Sequence, residues 1–132
     1  VLYPPALMAG LVKSAHPNCV LLDGRSDESG EEMMVGTRGG HAKKIARRVG
    51  KEWDFAGESV GFFKVSAEGG RVMKRLLDEE VNAGRLDQEY EAALDRAFSE
   101  ADFGFERADA FAWTEIDFEE DVVKARKLAR TL

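Results

Sequence analysis

Residues 32–50 read EMMVGTRGGHAKKIARRVG. Gly39 and Gly40 stand between two runs of apolar, threonine and basic residues, and such a dipeptide supplies the two positive φ angles that a tight hairpin turn demands. The stretch predicts a β-hairpin with strands over Glu32–Arg38 and His41–Arg47. The return strand carries Lys43, Lys44, Arg47 and Arg48. On a sheet edge these cations would stop other chains from adding to the sheet; the alternative is that one of them meets a phosphate.

Working outward, NCVLLD (Asn18–Asp23) is a compact apolar run closed by the polar cluster DGRSDESGEE, the pattern of a buried strand followed by a loop. Ahead of it, Leu7, Met8, Leu11 and Val12 form a short helical stripe just after Pro4-Pro5. Downstream, Glu58–Ser66 reads as a strand in which Gly61 marks a close approach by another backbone or a ligand. Val72, Met73, Leu76, Leu77 and Val81 predict a helix over Ala67–Ala83, stopped by Gly84. A second helix is predicted over Gln88–Ala101, with Asp87 as its N-cap. FGFERADAFAWTEIDF alternates apolar and polar residues and predicts one or two strands, and a last helix follows over Glu119–Ala129. That helix has acids at its start and Lys124, Arg126, Lys127 and Arg130 towards its end, matching the helix dipole. The expected fold class is α/β: a mixed sheet with a β-hairpin and flanking helices, in one domain over residues 1–132.

Composition narrows the function. The chain has 132 residues, 44% hydrophobic and 33% charged, with a formal charge of -6, so a nucleic-acid backbone would meet an unfavourable overall field. Cys19, the single cysteine, cannot form an internal disulfide and reads as a small core residue; the two histidines, His16 and His41, have no zinc-site spacing. No apolar run approaches the roughly 20 residues of a membrane span. The expectation is a cytoplasmic protein without nucleic-acid or membrane partners. The opening VLYPP reads as a link out of an earlier element, so a piece of a longer protein is expected.

The acidic stretch TEIDFEED holds the main chemical signal. One reading is structural: Asp117 caps the last helix and Glu119, Glu120 and Asp121 sit at its positive end. The other places Glu115 and Asp117 two apart on a strand, so both side chains leave one face and share a cation. Hard oxygen ligands favour Mg²⁺.

Three segments, WTEIDFEEDVVKAR, GESVGFFKVS and EEMMVGTRGGHAKKIARR, resemble segments of the nucleotidyltransferase superfamily that includes the phosphocholine and inositol-phosphate cytidylyltransferases. The resemblance implies the C-terminal part of a Rossmann-like nucleotidyltransferase fold. It further implies a Mg²⁺-dependent reaction joining an NTP, CTP in the named enzymes, to a phosphorylated alcohol or sugar with release of pyrophosphate. By that resemblance Glu115 and Asp117 are the metal carboxylates, Glu58 and Lys64 lie near the acceptor pocket, and Tyr90, Glu91 and Trp113 form part of its wall. Spacing alone reads Tyr90 and Trp113 as packing residues and Glu58 and Lys64 as surface charges. No residue is assigned as catalytic.

The family's Gly-rich triphosphate loop, and its further Asp midway along the chain, have no counterpart in these residues; Gly39-Gly40 and Gly69-Gly70 lack the basic loop around them. The expectation is therefore the acceptor-side and metal-side half of a site, inactive by itself. A reading from a different class is a non-catalytic α/β interaction module, homodimeric through its basic hairpin.

Overall fold

A computed structural model describes residues 1–132. Its elements are α1 (Pro5–Lys13), β1 (Cys19–Asp23), β2 (Met34–Arg38), β3 (His41–Ala46), β4 (Phe55–Lys64), α2 (Ala67–Asn82), α3 (Glu91–Glu100), β5 (Gly104–Arg107) and α4 (Glu119–Ala129). The hairpin forms where its glycines require it: Gly39 and Gly40 adopt φ of 59° and 81° between β2 and β3. The five strands form one mixed sheet in the order β3-β2-β4-β1-β5, with β5 parallel to β1 and the other pairs antiparallel.

β1 is buried along its whole length because both faces of the sheet are covered there. Val20 and Leu22 point to one side and pack with Met73 and Leu76 of α2 and Ala93, Leu94, Ala97 and Phe98 of α3. Cys19 and Leu21 point to the other and pack with Leu7 and Leu11 of α1, Val60 of β4 and Ala108. Fully burying a leucine in this way contributes about 1.5–3 kcal/mol. The continuous apolar run of β1 is thus the seam between two small cores, and its last residue, Asp23, emerges at the sheet's rim.

The hairpin edge is not bare. Ala42 N–H donates to the Phe103 carbonyl at 2.9 Å, and Ile45 N–H donates to the Asp95 carboxylate of α3 at 2.9 Å. Lys44 pairs with the same Asp95 at 2.7 Å and Arg47 with Glu89 at 2.8 Å. The outer side of β3, expected to be a solvated edge, is therefore covered by α3 and the segment that precedes β5.

Four local expectations are corrected. α3 begins at Glu91 rather than Gln88, and Asp87 does not cap it: Tyr90 occupies the N-cap position without a side-chain hydrogen bond. β4 starts at Phe55, three residues earlier than its apolar pattern suggests, because Phe55–Glu58 pairs with Met34–Thr37 of β2. The alternation over residues 111–118 forms no strand; Thr114 makes a single bridge to Leu2 and the chain then runs on without a paired neighbour. Glu115 and Asp117 consequently lie on an extended connection rather than on a strand. Asp117 is not the cap of α4 either. The Asp121 carboxylate reaches back instead, accepting the Phe118 N–H at 3.1 Å and the Asp117 N–H at 3.3 Å, as an acid in the first helical turn can do. This leaves the Asp117 carboxylate free of capping duty.

Candidate functional site

The site is organised by Asp23 at the end of β1. Its carboxylate is 3% exposed and accepts from Arg25 through the backbone N–H at 2.8 Å, Nε at 3.0 Å and Nη2 at 2.5 Å, and from the Trp113 indole Nε1 at 2.7 Å. Burial pushes this carboxyl upward, but the hydrogen bonds from Arg25 and Trp113 outweigh it and hold it below the usual carboxylate range. Arg25 also donates to the Phe111 carbonyl at 2.9 Å. One buried acid therefore ties the loop after β1 to the segment on both sides of residue 112.

Pinning Trp113 delivers residues 114–118 to the rim of the sheet. Glu58 of β4 lies opposite Asp23 in the β1–β4 register and accepts a hydrogen bond from Ser26 Oγ. Burial raises the Glu58 carboxyl above its ordinary value; the Ser26 hydrogen bond opposes this, while the nearby Glu32 and Asp23 add to it. Glu115 is raised for kindred reasons: burial first, then the adjacent Asp117, then Glu58. Glu58, Glu115 and Asp117 thus crowd negative charge in one place, offset only in part by Ser26 and Arg25 at Glu58 and by the chain's amino terminus at Glu115, a condition that protonation or a further cation would ease.

These groups line an open trough of about 1070 Å³ whose cations are Arg25, Arg47 and Lys124. Arg25 is committed to Asp23 and Lys124 to Asp121 at 2.8 Å. Arg47 has two partners. It donates to the Glu31 carbonyl and to Glu89, whose side chain is 56% exposed. A smaller hollow of about 220 Å³ shares Arg47, Glu58, Glu115 and Asp117 with the trough and adds Glu89 and Glu91. Tyr90 stands beside it, stacked on Phe63 with ring centroids 5.8 Å apart. Its hydroxyl is raised well above its usual value by burial and then by Glu91, with Glu115 contributing.

The structure therefore brings together Glu58, Trp113, Glu115 and Asp117 in the trough, with Glu91 and Tyr90 on its flank. It sets Lys64 apart. The Lys64 ammonium donates to the Ser14 carbonyl at 2.7 Å and the Val12 carbonyl at 3.4 Å, at the C-terminal end of α1. It lies six positions beyond Glu58, about 20 Å along β4. Asp23, Arg25 and Ser26 escaped the sequence reading, although a carboxylate closing a buried strand at the sheet's rim is a usual place for a ligand site. Arg47 was one of four cations between which composition could not choose.

Magnesium fits this donor set in part. Glu115 and Asp117 offer hard oxygens side by side, and Mg²⁺ is commonly held by one or two carboxylates with substrate phosphates and water completing its shell. No group of three or more His, Cys, Asp and Glu side chains is gathered tightly enough to hold a metal ion by itself. The pair can serve only together with an anionic ligand.

No family model matches the chain, and no curated protein matches it. Among solved structures, the fold is similar to that of the inositol-1-phosphate CTP transferase from T. maritima, with a TM-score of 0.59 and 16% sequence identity. The similarity covers 96% of this chain and 51% of that one, so the chain spans about half the length of the enzyme it matches. The mixed α/β fold implied by the sequence resemblance is the fold observed, and a nucleotidyltransferase shares it.

Proposed function

We propose that this chain forms the acceptor-side and metal-side wall of a Mg²⁺-dependent nucleotidyltransferase site. The reaction joins an NTP, CTP by analogy with the matched enzyme, to a phosphorylated alcohol or sugar. An acceptor phosphate oxygen forms a bond to the α-phosphorus while the bond to pyrophosphate breaks. The observation that carries this reading is the convergence of Glu58, Glu115 and Asp117 on one trough that also contains Arg47.

Each residue has a distinct task in this reading. Glu115 and Asp117 would hold the metal; when bound, Mg²⁺ neutralises charge that would otherwise keep two phosphate-bearing ligands apart. Arg47 can exchange the exposed Glu89 for the acceptor phosphate, a change from one anion to another of better bidentate fit. Glu58, oriented by Ser26, accepts a hydrogen bond from a hydroxyl of the acceptor. Trp113, tied to Asp23, keeps the 114–117 segment in place. The chain by itself lacks a triphosphate loop, and transfer requires both anions to be held together, so the activity belongs to a longer domain.

The test is acceptor binding followed by NMR, using inositol 1-phosphate with Mg²⁺ present. Shifts at the backbone amides of Glu58, Glu115 and Asp117 that weaken in Arg47→Met, but not in Lys43→Met, are expected. Binding that is indifferent to Arg47, or absent from these amides, would leave a non-catalytic interaction module as the better description.

A further inference from the structure

The smaller hollow beside the trough is lined by seven carboxylates and one cation, Arg47. The chain itself satisfies both ends of that guanidinium: Nη1 donates to the Glu31 carbonyl and Nη2 to the Glu89 carboxylate at 2.8 Å. An anion that comes to Arg47 therefore meets a carboxylate already in place. Of the two partners, Glu31 offers a neutral backbone oxygen, whereas Glu89 offers the kind of charged, hydrogen-bonding group that a phosphate replaces.

Glu89 is carried by the connection between α2 and α3, residues 83–90, each of which is exposed. This connection is fixed at its two ends. Gly84, at φ 76°, closes α2, Arg85 N–H donates to the Glu80 carbonyl at 3.0 Å, and Tyr90 stacks on Phe63. Between them Leu86 is 74% exposed. The Arg85 side chain turns back to Glu80 of α2, so the only side-chain hydrogen bond reaching from the connection beyond its own two helices is that of Glu89 to Arg47. The Arg47 side chain is 48% exposed and that of Glu89 56%, so water screens the pair, and its advantage over the open state is no more than about fivefold.

We propose that Glu89 is a tethered occupant of the acceptor-phosphate position, so that the chain closes its own anion site and a phosphate opens it. This rests on the reading of Arg47 as the group that takes the acceptor phosphate. The ligand must displace Glu89, and its apparent affinity is lowered in proportion to the fraction of molecules in which Arg47 is free. Displacement also releases the connection 83–90 from Arg47, so occupation of the hollow is coupled to loosening of the segment between α2 and α3.

Titration of the 132-residue chain with inositol 1-phosphate, Mg²⁺ present, followed by NMR, tests this on wild type, Glu89→Gln, Glu32→Gln and Arg47→Met. Glu89→Gln should tighten binding about three- to fivefold. Glu32→Gln removes from the same hollow a carboxylate held by Ser29 rather than by Arg47, and should tighten binding less. In wild type the amides of Leu86–Glu89 should shift on binding, and in ligand-free Glu89→Gln they should already be displaced in the same direction. Unchanged affinity in Glu89→Gln, or an equal gain from Glu32→Gln, would overturn the gate. Affinity lost in Arg47→Met but not gained in Glu89→Gln leaves the acceptor site standing without a gate, whereas binding indifferent to Arg47 removes both.

Discussion

Trp113 Nε1 donates to the buried Asp23 carboxylate at 2.7 Å, and through this one bond the acidic connection 114–118 is held to the end of β1. Trp113→Phe keeps the ring packing and deletes the donor. It should cost about 1 kcal/mol of stability, the usual net worth of such a bond. The more specific consequence is looser positioning of Glu115 and Asp117. Chemical denaturation should show the modest loss, and Mg²⁺ titration of the same variant should show weaker binding, whereas a core variant of equal cost, such as Met73→Leu, should not weaken it.

Two glycines should respond to alanine with opposite signs. Gly39 sits at φ 59° in the hairpin turn, where a Cβ is disfavoured, so Gly39→Ala should destabilise by about 1 kcal/mol. Gly10 lies inside α1 with no atom near its missing Cβ, so Gly10→Ala should stabilise by about 0.5–1 kcal/mol. Thermal melts of the two single variants provide the comparison.

The carboxyls of the trough give the fold an inverted pH response. Glu58 and Glu115 are raised above their ordinary values, so between the unfolded and folded values the native state binds the extra protons. Stability contributed by their protonation is present at acid pH and lost as pH rises through that window. Asp109, held by Arg107 at about 2, behaves in the usual way: its contribution is present above 3.8 and lost as pH falls towards about 2. Glu115→Gln should therefore raise the melting temperature at neutral pH and reduce the decline between acid and neutral pH. A melt series in metal-free buffer reads this directly, and an unchanged pH profile in the variant would count against the crowded trough.

Lys64 supplies a control. Because its ammonium caps the end of α1, Lys64→Met should lower stability slightly and leave Mg²⁺ and phosphate binding untouched. NMR titration of the variant against wild type distinguishes this from a role at the acceptor.

The hairpin, β1 and α2 were legible in the sequence because each is dictated locally: Gly39-Gly40 by its φ requirement, Cys19–Asp23 by burial on both faces, Ala67–Asn82 by its apolar stripe. The structure of residues 111–118 was not, since alternation makes a strand only where a neighbour offers hydrogen bonds, and beyond Leu2 none does. Asp87 had the right chemistry for a cap, yet α3 starts four residues later. At the site, the carboxylate pair was visible as a motif. The anchors Asp23, Arg25 and Ser26 were not, because their importance arises from long-range contacts: Glu58 is set opposite Asp23 by the register of β1 with β4, and Trp113 is brought in from the segment after β5.

Mg²⁺ titration of the wild-type chain and of Asp117→Asn, followed by NMR of the Glu115 and Asp117 amides, bears most directly on the site. Weak saturable shifts that strengthen when inositol 1-phosphate is added, and that vanish in Asp117→Asn, are expected. Shifts that are absent, or that persist unchanged in the variant, would contradict a metal held between these two side chains.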